Sequence, residues 1–156
     1  MSSAFRNPSD PPEEPPGDGP AHWSFGTTAD VGIGARALSP ESLFAHLGEG
    51  YTELLTDLAS VEPKAARALQ VSSPSLEGLV VAYLTELIGL FDEEGWLTRR
   101  YEVRLRGDPP RRIEARLQGE TYDPARHRVK VQVKAVTLHR LEVDLARGRA
   151  QVIVDI

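Results

Sequence analysis

The chain has 156 residues, 40% of them hydrophobic and 26% charged, a balance typical of one soluble domain that buries its own core. Cysteine is absent from it, which excludes disulfide bonds and thiolate zinc sites. Because no apolar run reaches the length of a bilayer span and the N-terminal segment lacks the apolar stretch of a signal peptide, we expect a cytoplasmic protein.

The net charge of -5 hides an asymmetry between the two parts of the chain. Residues 1–98 contain 4 Lys or Arg and 15 Asp or Glu, whereas residues 99–156 contain 14 and 8. A basic second half would suit a partner that bears phosphate. Because the arginines are spread along predicted strands, we favour the simpler interpretation, in which they lie on exposed strand faces and pair with neighbouring acids.

The first third of the chain predicts a leader, two strands and a helix. Residues 1–20 are rich in proline, glycine and acids, which predicts a disordered leader before a domain over residues 21–156. Strands are predicted at residues 22–25 and 33–37, on either side of a glycine-lined turn around Asp30. Ser39 is a typical N-cap, and apolar residues then recur at steps of three and four as far as Leu58.

The rest of the chain predicts one more helix and several strands. A short strand over residues 68–71 precedes the helix start signal SSPS, and a wide apolar stripe then runs to Phe91. After Trp96 the pattern predicts strands only, with a turn at DPPR and long strands over residues 127–156 broken at Gly148. The predicted fold class is α+β, a two-layer sandwich with two amphipathic helices on one face of a mostly antiparallel sheet.

Carboxylates at the two ends of the predicted domain are candidate ligands of a hard cation such as calcium. Asp30 lies in the glycine-lined turn, and Asp155 is followed only by Ile156. First and last strands of a small sheet are often neighbours, so the two aspartates would converge. Alternatively, Asp30 caps its own turn and Asp155 is a polar strand end. Nucleophilic triads, phosphate-binding glycine loops and dinucleotide fingerprints find no support in the sequence.

The stretch VKAVTLH, residues 133–139, breaks the alternating pattern at Lys134. By itself it favours a bulged strand with a histidine that binds a backbone carbonyl. The functional interpretation is a lysine presented to phosphate or to a partner's carboxylate, with a titratable group close by.

Five motifs, in order and at family-like spacing, resemble the archease family over residues 22–156: TADVGI, SLEGLVVAYLTELIGLFDEEG, GETYDPARH, VKAVTLH and VIVDI. Archeases are accessory proteins of the RtcB-type tRNA-splicing ligase, which joins RNA ends carrying a 3′-phosphate or 2′,3′-cyclic phosphate to 5′-hydroxyl ends. The resemblance implies that this chain promotes guanylylation of the ligase by GTP and restores its turnover. It implies no catalysis by this chain alone, and contact with RNA only through the ligase.

The resemblance also assigns residues. It implies a divalent cation, calcium by analogy, held by Asp30, Asp155 and Ile156. It implies a role in ligase activation or partner contact for five motif residues, which are Lys134, Thr137, His139, Glu120 and His127. Two positions depart from the family pattern: Thr28 stands where histidine is usual, and Gln132 where an acid is common.

Two other functions remain open at this point. One is a stand-alone, metal-dependent phosphohydrolase that uses Asp30 and Asp155. The other is an RNA-binding or chaperone-like module that uses the basic strand faces, for which salt-sensitive RNA binding is expected.

Overall fold

The computed structural model describes residues 19–26 and 30–156. Residues 1–18 and 27–29 lie outside the described part of the chain. The predicted leader, apart from its last two residues, and Thr28 are therefore untested. No helix of the described part is long and apolar enough to cross a membrane.

Both predicted helices are present and start where the sequence indicates. Helix α1 spans Pro40–Leu55, and the side chain of Ser39 accepts a hydrogen bond from the Ser42 N–H. Helix α2 spans Leu76–Glu94 and is capped in the same way by Ser75. It ends at Gly95, whose φ of 68° is a left-handed conformation that favours glycine. Helix α1 stops short of the predicted end, and Leu58–Ser60 form a separate 3₁₀ turn.

The strands of the described residues form two antiparallel sheets. Sheet A has five strands in the order β1-β2-β8-β6, with β7 also paired to β8. Sheet B has three strands in the order β3-β5-β4. Their bounds are β1 (His22–Gly26), β2 (Asp30–Arg36), β3 (Ala65–Ser72), β4 (Trp96–Arg106), β5 (Arg112–Thr121), β6 (Ala135–Val136), β7 (Glu142–Asp144) and β8 (Arg149–Asp155).

The helices connect the two sheets. Helix α1 contacts β2 of sheet A and β4 of sheet B, and α2 contacts β3 and β5 of sheet B as well as β6 and β7 of sheet A. Fully buried side chains from all of these layers meet in one core, among them Ile33, Phe44, Tyr83, Leu117 and Val152. The α+β class and the antiparallel pairing are confirmed. The division into two sheets is an addition, because alternation along a strand does not say which strands pair.

The expected long strand over residues 127–146 is wrong. Residues 122–134, here called the strap, run without regular secondary structure, and only β6 and β7 follow before β8. The middle of the strap binds the end of α1: the Lys130 N–H donates to the Leu55 carbonyl at 2.8 Å, and the Thr56 hydroxyl donates to the Arg128 carbonyl at 2.8 Å. Of its alternating valines, Val133 is buried in the core and Val131 packs against it, whereas Val129 is exposed.

Candidate functional site

Asp30 and Asp155 face each other across two neighbouring strands. Asp30 is the first residue of β2 and Asp155 the last of β8, and they are direct partners in the antiparallel register. Directly opposed residues project from the same face of a sheet, with Cβ atoms about 4.5–5.5 Å apart. Both side chains are exposed at the end of sheet A. The structure thus brings the two predicted ligand residues together.

The end of the chain is anchored. Strand β8 lies inside sheet A, paired with β2 on one side and with β6 and β7 on the other. The Asp155 carbonyl accepts a hydrogen bond from the Lys134 N–H at 2.8 Å. Ile156 packs its side chain against the hydrophobic core. A frayed polar end therefore does not describe Asp155, because the backbone on both sides of it is held.

The VKAVTLH stretch lies along the other side of β8. Ala135 is the register partner of Asp155, and the side chain of Lys134, one residue earlier, is exposed. The Thr137 N–H and hydroxyl both donate to the Ile153 carbonyl, at 2.9 and 3.0 Å. The same hydroxyl accepts from the His139 N–H at 3.3 Å. Thr137 therefore fixes the local backbone, and Lys134 and His139 expose their side chains at this edge of sheet A.

Glu120 and His127 form a different cluster, at the end of β5 in sheet B. Only 6% of Glu120 and 2% of His127 is exposed. The Glu120 carboxylate lies 2.9 Å from His127 Nε2 and accepts the Glu62 N–H at 2.7 Å. It also accepts a hydrogen bond from the Arg126 guanidinium. These four residues, Glu62, Glu120, Arg126 and His127, are here called the latch. They hold the start of the strap against sheet B.

The hydrogen bonds of His127 determine its tautomer. Its Nδ1 accepts the Asp123 N–H at 2.8 Å, so the ring proton is on Nε2 and is donated to Glu120. Both ring nitrogens are engaged and buried, and the ring offers no lone pair to a substrate. Burial alone would raise the pKa of Glu120, but the hydrogen bonds from Arg126, Glu62 and His127 outweigh it and lower the pKa to about 2.

The strap runs from the latch, at its first end, to the aspartate pair, at its last. Midway along the strap, Lys130 Nζ lies 2.7 Å from Glu53 and 3.0 Å from Asp57. Burial alone would lower the pKa of Lys130, but the bonds to these two acids raise it. The strap then ends at Lys134, whose backbone is bonded to Asp155. Partner contact by Glu120 and His127 remains a prediction, and their burial favours an indirect role.

Sequence analysis missed Arg126 and Thr56. Arg126 is part of the latch, and Thr56 fastens the strap to the end of α1. The one signal for Arg126 was its place inside the GETYDPARH motif. Thr56 carried no signal at all, because its partner, Arg128, lies far along the chain.

Comparison with known proteins decides the family. The model of the archease protein family matches residues 23–156. The chain belongs to the archease family. Protein archease of Pyrococcus abyssi is 33% identical over 133 residues, which cover 83% of this chain and 94% of that protein. Protein archease of Pyrobaculum calidifontis is 36% identical over 127 residues, 80% of this chain and 86% of that protein.

A solved structure confirms the archease fold. The solution structure of Methanobacterium thermoautotrophicum protein 1598 matches with a TM-score of 0.70 at 25% identity, covering 87% of this chain and 99% of that one. The archease resemblance inferred from five motifs is thus confirmed over nearly the whole described domain. Archease membership supports the role of an accessory protein.

The aspartate pair of this archease-family chain fits a cation on electrostatic grounds. Like charges directly opposed across two strands repel each other. None of the ion pairs formed among residues 19–26 and 30–156 includes Asp30 or Asp155. Within the same residues no group of three or more histidine and acidic side chains has the arrangement of a metal site. A cation here would therefore need the Ile156 terminus and water beside the two carboxylates.

Proposed function

We propose that this chain is a metal-binding activator of an RtcB-type RNA ligase. It promotes the GTP-dependent guanylylation of the ligase and its turnover in tRNA splicing and RNA repair. The observation that supports this proposal is the juxtaposition at the end of sheet A. There Asp30 and Asp155 are register partners, and the strap delivers Lys134 to the backbone of Asp155.

Asp30, Asp155 and the terminal carboxylate of Ile156 would hold the divalent cation, for which calcium is the first candidate. These donors are all oxygens, as a hard cation requires, and water would complete the shell. The bound cation would supply positive charge for a phosphate or carboxylate oxygen of the ligase. Its loss would leave the carboxylates in mutual repulsion, so binding would also hold β8 against β2.

Lys134 would supply a second positive charge at the same edge. Its side chain is exposed while its backbone is fixed, so the ammonium group is free to reach a partner from a defined origin. An ammonium placed beside the nucleotide of the ligase would stabilise the charge that develops on the transferred phosphate. The activator would thereby favour the guanylylation-competent state of the ligase.

Single-turnover guanylylation of a purified RtcB-type ligase tests the proposal. The ligase is mixed with GTP labelled at the α-phosphate, with and without this chain, and the rate of label transfer is measured. We expect the wild type to accelerate transfer. Lys134→Gln is expected to weaken the acceleration about tenfold, which corresponds to about 1.4 kcal/mol.

Arg147→Gln is the matched control, because it removes one exposed positive charge from the β7–β8 turn of the same sheet. We expect it to activate the ligase like the wild type. Label transfer that is equally fast with and without the wild-type chain would contradict the proposal. GTP or phosphoester turnover by the chain alone would instead support the phosphohydrolase alternative.

A further inference from the structure

The outer face of sheet B is an exposed, arginine-rich surface. In each of its strands alternate residues are buried against the helices, as Leu69, Val103 and Leu117 are. The residues between them project from the other face. The cross-strand register places five exposed arginines there, here called the arginine face: Arg100, Arg104, Arg106, Arg112 and Arg116.

Acidic side chains neutralise only part of the arginine face. Two glutamates, Glu102 and Glu114, share the face with the five arginines. Glu114 is bound by both Arg106 and Arg112, at 3.0 and 3.2 Å, so one negative charge serves two positive ones. Arg100, Arg104 and Arg116 are exposed, and no ion pair within the described part of the chain includes them. The face therefore keeps a positive surplus although the whole chain has a net charge of -5.

The part of the face that lies on β3 carries no charge. The β3 residues of this face are Ala66, Ala68, Gln70 and Ser72, all small or uncharged and all exposed. None of the residues on the face is aromatic, so bases have no platform on which to stack. Rows along a strand recur every two residues, about 6.6 Å apart. Guanidinium groups at this regular spacing suit a polymer of phosphate groups, which they would contact independently of the base sequence.

We propose that the arginine face binds the phosphate backbone of RNA directly and without sequence preference. The charge pattern identifies a phosphate backbone, and the choice of RNA rests on the proposed function, which places RNA ends beside the ligase. The sheet that carries the arginine face is not the sheet that carries Asp30 and Asp155. This chain would therefore hold RNA on one sheet while the other serves the ligase.

Fluorescence anisotropy with a short labelled RNA stem-loop tests this surface. The full-length wild type, the double variant Arg104→Gln/Arg116→Gln and the control Arg128→Gln/Arg147→Gln are compared between about 50 and 200 mM salt. All four arginines are exposed and each double variant removes two positive charges. We expect the face variant to bind more weakly and to reduce the salt slope by about 2, and the control to bind as the wild type does.

Three outcomes would overturn the proposal. The first is that the wild type binds RNA too weakly to measure at about 50 mM salt. The second is that both double variants weaken RNA binding equally. The third is that the face variant binds RNA normally but has lost affinity for the ligase. The last result would make the face a protein-docking surface. Guanylylation measured without RNA distinguishes RNA binding by the arginine face from activation of the ligase. In that assay the face variant should stimulate the ligase as much as the wild type does.

Discussion

At the scale of single residues, the molecule places two like charges where a sheet would be more stable without them. Asp30 and Asp155 are direct register partners at the exposed end of two strands. Opposed like charges destabilise an antiparallel pair by a few tenths to about 1 kcal/mol. The proposed cation would offset this repulsion between the two carboxylates.

Replacement of one aspartate separates the repulsion between the two carboxylates from stabilisation by a bound cation. In chelator, Asp155→Asn removes the repulsion, and we expect the melting temperature to rise by about 1–3 °C. When calcium replaces the chelator, the melting temperature of the wild type should rise and that of the variant should stay the same. Glu142→Gln is the control, because Glu142 is exposed in the same sheet and its partner on β8 is Gln151. Melting temperatures are measured by calorimetry. If the wild type melts at the same temperature in calcium and in chelator, calcium binding is not coupled to the stability of the fold.

A second residue-scale prediction concerns acid stability. The pKa of Glu120 is lowered from 4.5 to about 2, so its contribution is complete above about pH 4.5 and is lost as the pH falls towards 2. Glu120→Gln should lower the free energy of unfolding by about 2 kcal/mol at neutral pH. Urea unfolding at decreasing pH should show the two proteins converging below about pH 4.5. A difference that stays constant down to about pH 3 would mean that Glu120 is not the titrating group.

At the scale of elements, the strap connects Glu120 of sheet B to Asp155 of sheet A. It has no ladder of its own and depends on separate attachments at Glu120, Thr56 and Asp155. Segments held by few bonds open more readily than strands do. The position of Lys134 thus depends on Asp155 within the site and also on Thr56 and Glu120, which lie outside it.

Loosening the middle attachment tests this dependence. Thr56→Val keeps the shape of the side chain and removes its bond to the Arg128 carbonyl, at a cost of about 1 kcal/mol. We expect the Lys134 amide to exchange its hydrogen about fivefold faster, since opening of the strap exposes it. Ser60→Ala removes a hydroxyl bond within the neighbouring 3₁₀ turn and should leave that rate unchanged. Equal exchange rates in all three proteins would show that the strap is held independently of Thr56.

At the scale of the whole molecule, sheet A joins the start of the described chain to its end. Strand β8 is the last element of the chain and lies between β2 and the edge strands, with Val152 and Val154 fully buried. The last strand is therefore held inside the sheet, and Asp155 at its end has a fixed position.

An added tail tests the importance of the free terminus. A polar extension after Ile156 turns the terminal carboxylate into a peptide carbonyl and displaces a charge that the cation would share. We expect it to abolish most of the calcium-induced rise in melting temperature, whereas the same tail before Ser2 should preserve it. An identical calcium response in both tagged proteins would remove the terminus from the set of ligands.

The sequence by itself determined where both helices begin, one hairpin and the family. Ser39 and Ser75 cap helices because the side chain and the amide it binds lie three residues apart. The β4–β5 hairpin followed from alternation on both sides of DPPR, and the archease motifs were readable in order. Each of these signals is contained within a few neighbouring residues.

Only the tertiary structure decided how these pieces meet. It divided the strands into two sheets, made a strap of a stretch that alternates like a strand, and separated Glu120 and His127 from the aspartate pair. It also put Asp30 and Asp155 in register, although nearly the whole domain lies between them in the chain. The physical reason is that strand pairing and strap docking depend on backbone groups distant in sequence, and any extended segment can offer the same donors and acceptors.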